Sequence, residues 1–297
     1  MTPFSIPYFA DEANLPASLP TAEEIASSTD LLSETGGRRV VGVGDHYVVK
    51  YGMRVDLLEG ETMLLLERST TVPVPRVYAM YQSADKKVNY IVMERIIGST
   101  LKSEWTRLDQ SAKEAVSFQL RAIISEMRKL ESPGGYCSVG RRELSDDLFW
   151  TNDPTKPFAG PFDTESDLNN AVIAKYLESG YSRYKADHYA RTFEQLFQNH
   201  GPVFSHADFQ KKNIMIRKRS TAETMEEDGM CWNAANVEGV LIDWEFAGWY
   251  PSYWEYSRAI LGCGLWEDDW SYWVDQILEP FRVEYAWTEQ LFRELWS

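Results

Sequence analysis

Apolar positions change their period along this chain, and the changes divide it. From Arg38 the string Arg-Arg-Val-Val-Gly-Val-Gly-Asp-His-Tyr-Val-Val-Lys50-Tyr-Gly sets two β-branched runs about a Gly-Asp turn, the pattern of a hairpin. Residues 56–69 follow, where Leu57, Leu58, Met63, Leu64, Leu65 and Leu66 predict a helix. Val72-Pro73-Val74-Pro75 must run extended, because each proline removes a donor and restricts its predecessor. Strands are expected near 76–82 and 88–94, around the polar turn Ser83 to Lys87. Strand, strand, helix, strand, strand describes a small antiparallel sheet carrying one helix.

Beyond Gly98 the period becomes helical. Over 109–131, Ala112, Val116, Leu120, Ile123, Ile124, Met127 and Leu130 fall on one face of a helix. A stretch dense in Gly, Pro and Asp covers 132–165, and 166–199 reads as one or two helices. Short strands at 213–217 and 237–242 flank an acidic insert, Thr224 to Gly229, with the composition of a solvated hairpin tip. The tail from 251 is helical and rich in Trp. Residues 1–37, rich in Pro, Ser, Ala and acids, read as a loosely held extension with a short helix within 21–33.

Composition narrows the class. The 297 residues suit one two-lobed domain or two small ones, and no apolar run approaches the length of a membrane span. Residues 1–37 contain no Lys or Arg and no long apolar run, so a signal peptide is not expected. Cys137, Cys231 and Cys263 are scattered, with no metal-binding pair, which suits a reducing compartment, the cytoplasm. A net charge of −15 argues against nucleic acid or anionic membrane as partner. It suits a cationic substrate, and it equally suits solubility alone.

The chemistry concentrates in His206-Ala-Asp208-Phe-Gln-Lys-Lys-Asn213 and, 30 residues beyond Asn213, Leu241-Ile242-Asp243-Trp244-Glu245. Phosphoryl transfer from Mg-ATP needs these pieces: one carboxylate to orient the attacking hydroxyl and accept its proton, with an amide and a second carboxylate to hold metal on the phosphates. Asp208 has the position of the base. Asn213 and Asp243, hard oxygen ligands beside apolar strands, suit Mg²⁺.

These strings, with Ala247-Gly248-x-x-Pro251-x-x-x-Glu255 downstream, resemble the aminoglycoside phosphotransferase-like kinase family, which is related to choline kinases. Val-Val-Lys50-Tyr-Gly, Val-Pro-Val-Pro and Ile-Val-Met-Glu-Arg-Ile-Ile-Gly-x-Thr-Leu resemble its fungal branch, and the likeness runs from about residue 38 to 260. The resemblance implies an α+β, protein-kinase-like bilobal fold, with ATP and Mg²⁺ used to phosphorylate a small-molecule hydroxyl. The division expected is an extension at 1–37, an N-lobe at 38–96 ending in a hinge, and a helical C-lobe at 97–297.

Carried over by position, Asp208 falls on the family's base and Asn213 and Asp243 on its metal ligands. Lys50 falls on the lysine that grips the α- and β-phosphates, with Glu59, or else Glu61, as its carboxylate partner. The backbone of Glu94 and Ile96 would meet the adenine edge, and His206 would steady the loop. Gly42-Val-Gly44-Asp-His is the expected nucleotide-covering turn, although it lacks a full GxGxxG. Ala207 stands where the family commonly has Gly, a mild change in a loop of ordinary backbone angles. The tail's Trp244, Trp249, Trp254, Trp266, Trp270 and Trp273, with its acids, form either a site for a cationic substrate or a core with a solvated acidic face. Two other readings compete: a nucleotide- or protein-binding module without turnover, and a protein kinase, which the missing glycine after Asp243-Trp244 disfavours.

Overall fold

A computed structural model of the chain describes residues 4–151, 153, 155, 156, 158–218 and 237–296. The acidic insert and Cys231 lie outside these residues. The first lobe is an antiparallel sheet built from β1 (Tyr8–Phe9), β2 (Leu31–Thr35), β3 (Arg38–Val43), β4 (Tyr47–Gly52), β5 (Val77–Gln82) and β6 (Asn89–Glu94), in the spatial order β1-β5-β6-β4-β3-β2. Helix α2 (Leu58–Ser69) covers one face and helix α1 (Ala22–Ser27) the other. Alternation along the strands explains this. Val41, Tyr47, Val49, Tyr78, Ala79 and Val92 turn outward and bury Ile25 of α1, while Met80, Ile91 and Met93 pack beneath α2.

The expectation of a loosely held extension is corrected here. Residues 8–9 and 31–35 supply both edge strands of the sheet, and a capping box at Thr21 and Glu24 starts α1. The helix placed within 21–33 ends at Ser27, and the chain then pairs with β3. Edge strands this short, with polar partners in sequence, carry little hydrophobic periodicity.

After the linker, β7 (Ser99–Thr100) and α3 (Leu101–Glu104) lead to α4 (Gln110–Met127), whose apolar stripe is buried as its spacing required. Asp109 caps α4 by accepting from the Ala112 amide at 2.8 Å. The antiparallel pair α5 (Glu165–Glu178) and α6 (Arg183–Leu196) carries a second core around Tyr189, Phe193, Tyr253 and Trp254. Strands β8 (Pro202–Ser205) and β11 (Gly248–Pro251) form one ribbon. Strands β9 (Ile214–Lys218) and β10 (Val237–Leu241) form, with β7, a small sheet of order β10-β9-β7. The chain closes with α7 (Trp254–Leu261), α8 (Trp270–Ile277) and α9 (Arg282–Leu295). No helix among the described residues is long and apolar enough to cross a membrane.

Candidate active site

Register fixes the first half of the site. Lys50 lies opposite Val40 on β3 and Ile91 on β6, so its side chain leaves the sheet on the face that α2 covers. It is buried, and its Nζ meets Glu59 Oε2 at 2.7 Å, Asp243 Oδ1 at 2.7 Å and Glu245 Oε2 at 3.3 Å. Burial alone would lower the Lys50 pKa, yet Glu59, Asp243 and Glu245 together hold it well above its ordinary value. Gly60 lets α2, which carries Glu59, lie close to β5: a Cβ there would come within 2.2 Å of Met80 Sδ and would displace that side chain. Glu61, the other candidate, turns instead to Arg142 of the second lobe at 2.5 Å.

The expected nucleotide-covering turn is misplaced. Gly42 to His46 sits at the hinge end of the sheet, where the Arg95 amide donates to His46 O at 2.9 Å and Arg95 Nη1 to Gly44 O at 3.2 Å. The tip at the opposite end, Gly36-Gly37 between β2 and β3, is the one that overhangs the second lobe, since the next residue, Arg38, pairs with Glu245. The error follows from reading β2 as extension, which made β3–β4 look like the first hairpin. A cavity of about 690 Å³ also opens at the hinge end, lined by Asp30, Gly42, Gly44, Arg95 and Ile97. It does not lie between Lys50 and Asp208, where the acidic and basic groups converge. Glu94 spends its carboxylate on Arg217 at 3.2 Å and the Arg76 amide at 3.2 Å, and its own amide donates to Arg76 O at 2.8 Å, so its backbone carbonyl is what is left for a base edge.

The second half is held by backbone. Loop 206–213 leaves β8, and buried Glu255 at the start of α7 accepts from the His206 amide at 2.5 Å and the Ala207 amide at 3.0 Å. Burial pushes the Glu255 carboxyl up, with His206 and these amides opposing. His206 Nδ1 accepts from the Asp208 amide at 3.3 Å, which leaves the proton on Nε2 to donate to Ile242 O at 2.9 Å. That ring is buried against Trp244 and bonds only backbone, tying the loop to the strand end that carries Asp243. Ala207 has φ +63° and Asp243 φ +65°. The loop is therefore not one of ordinary angles, and Ala207 stands in the left-handed region at a cost of about 1 kcal/mol.

Asn213 donates Nδ2 to Asp208 Oδ2 at 2.7 Å and to Asp208 O at 3.0 Å. Its Oδ1 is therefore turned away from Asp208. Gln210 donates to Asp208 Oδ1, and Lys212 Nζ lies 3.1 Å from Asp208 Oδ2. The Ile242 amide donates to Asn213 O at 2.9 Å, which sets Asp243 beside Asn213. Burial raises the Asp243 pKa, but Lys50, His206 and Lys212 bring it below the usual value. Carboxylate oxygens of Glu59, Asp243 and Glu245 lie within 4.8 Å of one another. An all-oxygen donor set of this kind, with Asn213 beside it, fits Mg²⁺ rather than a softer metal.

The structure thus brings Lys50, Glu59, Asp243, Asn213 and Asp208 to one cleft, while Glu94 ends β6 opposite Tyr47 and Ile96 follows in the linker. Arg38, Lys212, Glu245 and Glu255 also belong to it and had no assigned place. The two glutamates stood inside the quoted strings, but only contacts reveal their partners. The Trp-rich tail resolves as core. Trp244, Trp249, Trp254, Trp270 and Trp273 are buried, and Asp269 accepts from the indoles of Trp105 at 2.8 Å and Trp273 at 3.0 Å. Trp266 alone of the six is exposed.

No protein-family model matches the sequence, and no curated protein matches it. Solved structures do. Aminoglycoside phosphotransferase APH(4)-Ia superposes with a TM-score of 0.55 at 17% identity, covering 92% of this chain and 84% of that one. A thermostable mutant of it, solved with ADP and hygromycin B, gives 0.52 at 17%, covering 92% and 81%. The GDP complex of aminoglycoside 2'-phosphotransferase-IIIa gives 0.51 at 13%, covering 90% and 80%. This chain therefore has the aminoglycoside phosphotransferase-like, protein-kinase-like α+β fold, with an antiparallel-sheet lobe and a helical lobe.

Proposed function

We propose that this chain is an ATP- and Mg²⁺-dependent phosphotransferase that moves the γ-phosphate to a hydroxyl of a small molecule. One observation carries the reading: Lys50, with its partner Glu59, meets Asp243 across the cleft at 2.7 Å while Asn213 holds Asp208 a few residues away. A lysine with a carboxylate partner, two oxygen ligands and a further oriented carboxylate are the parts an in-line phosphoryl transfer requires. In this reading the N-lobe comprises residues 38–96 together with the strands at 8–9 and 31–35, and the C-lobe residues 97–297.

Asp208 accepts the hydroxyl proton and aims its oxygen. Both Asp208 oxygens already receive donors, Gln210 and Asn213, which hold the carboxylate in one orientation. Lys50 leaves its carboxylates for the α- and β-phosphates, and the Glu94 and Ile96 backbone meets the adenine edge. Asp243 and Asn213 hold Mg²⁺, which when bound neutralises charge on the phosphates.

A hydroxylated, cationic acceptor is the substrate class proposed, from the net charge of −15 and from hygromycin B in the complex of a chain sharing this fold. The quoted Val-Pro-Val-Pro and Ile-Val-Met-Glu strings support a fungal branch, and the free cysteines Cys137 and Cys263 suit the cytoplasm. Asp243→Ala is expected to abolish Mg²⁺-dependent ATP binding by calorimetry, and unchanged affinity would remove Asp243 from the site. ATP binding without turnover on any hydroxylated compound would favour the binding module instead, and phosphate found on proteins alone would favour a protein kinase.

A further inference from the structure

Arg38 follows the Gly36-Gly37 tip, whose glycines have φ +56° and +86°, and it lies opposite Gly52, two residues along β4 from Lys50. Val40, opposite Lys50, shares a face with Arg38 because strand side chains alternate. Arg38 and Lys50 therefore leave the sheet on the same side, about 7 Å apart along the strand direction. Both cations are held by carboxylates that the other lobe presents. Arg38 pairs with Glu245, and Lys50 with Asp243 and the same Glu245. Arg39, the next residue, turns to the opposite face and bonds Tyr51 Oη at 3.0 Å.

We propose that Arg38 is a second phosphate-binding cation of this cleft, held by Glu245 until a nucleotide polyphosphate takes the place of the carboxylate. This rests on the nucleotide reading above. Two cations on one face of the sheet, from neighbouring strands, line the path a triphosphate chain must follow from Lys50 toward the tip. A guanidinium offers a planar fork that binds two phosphate oxygens at once, and it exchanges one oxyanion for another without change of charge state. The side-chain-free tip lets a phosphate approach the backbone closely. Glu245, two residues from Asp243, is released by the same exchange on the metal side of the cleft. A tie that merely joined the lobes would show no preference for the number of phosphates on the ligand. The proposed role does.

The test is calorimetry of the full chain with adenosine, ADP and ATP, each with and without Mg²⁺. Arg38→Gln is expected to weaken Mg-ATP about tenfold, the loss of one charge-assisted contact, while adenosine binds within about twofold of wild type. Arg39→Gln should leave both ligands unchanged. Glu245→Gln frees Arg38 and removes the longest of the three carboxylate contacts at Lys50, and should tighten metal-free ATP about threefold, as expected for one partly exposed ion pair. Mg-ATP affinity untouched by Arg38→Gln but weakened by Lys50→Ala would overturn the Arg38 role alone. Equal loss of adenosine and ATP affinity in Arg38→Gln would overturn it too, and unchanged or weaker metal-free ATP binding in Glu245→Gln would overturn the holding role. Wild type that binds no ATP would overturn the nucleotide reading, and Arg38 with it.

Discussion

The two halves of the cleft are built by opposite means. Around Lys50 the N-lobe half is ionic: Glu59, Asp243 and Glu245 crowd one ammonium and Arg38 shares Glu245, contacts that the proposed phosphates and metal would exchange. Around Asp208 the other half is held chiefly by hydrogen bonds to loop backbone. Glu255, His206 and Asn213 anchor the loop, and two residues outside glycine's company keep positive φ. The first half is free to rearrange on binding, whereas the second is pre-set. That division suits phosphoryl transfer, in which the phosphates arrive with the ligand and the base must already be aimed.

The contrast can be broken from either side. Asp208→Asn keeps the loop's backbone bonds, although one of the Gln210 and Asn213 donors loses its oxygen acceptor, and should lower kcat about a thousandfold, the loss of a general base, with ATP affinity by calorimetry unchanged. Glu255→Ala leaves two buried amides without an acceptor and should cost about 3 kcal/mol in urea unfolding, with activity lost in proportion to the loop's order. Ala207→Gly relieves the left-handed backbone and should stabilise the fold by about 1 kcal/mol, read from the same unfolding curves.

The smallest effect lies away from the cleft, at His200. Burial opposes its charge, but Glu165 at 2.7 Å and Glu284 at 3.5 Å outweigh it and raise its pKa. A raised histidine pKa contributes stability that is complete below the unfolded value near 6.5 and is lost as pH rises through the folded value. Wild-type Tm should therefore fall between pH 6 and pH 8 more steeply than that of His200→Gln. Parallel curves would show that the ion pair adds nothing.

Much of the site was legible because its chemistry is local. Asp208 and Asn213 share one loop, and Asp243 ends an apolar run that had to be a strand. Lys50 was readable from a β-branched hairpin, and Glu59 and Glu61 were both plausible because the helix start does not show which one faces inward. What was not legible depends on partners distant in sequence. Glu255 contacts residues 206 and 207 only once α7 is docked, and no spacing announces it. Residues 31–35 pair at an edge where exposed side chains erase the pattern, and that loss moved the expected nucleotide turn to the wrong end of the sheet. Ala207 hid its positive φ because the residue type prefers the opposite sign. The tryptophans of the tail have one composition in a core and in a binding face; burial and the indole bonds to Asp269 separate the two.

The central claim is that Asp208 acts as base for a hydroxyl that receives the γ-phosphate. A single-turnover assay with γ-labelled Mg-ATP, run over a panel of hydroxylated cationic compounds with wild type and Asp208→Asn, tests it most directly. Label is expected to pass to a small-molecule hydroxyl with wild type and to stay on the nucleotide with Asp208→Asn, at equal nucleotide occupancy. Transfer at the same rate by both proteins would contradict the assignment of Asp208, and label that never leaves ATP on any acceptor would contradict the reaction itself.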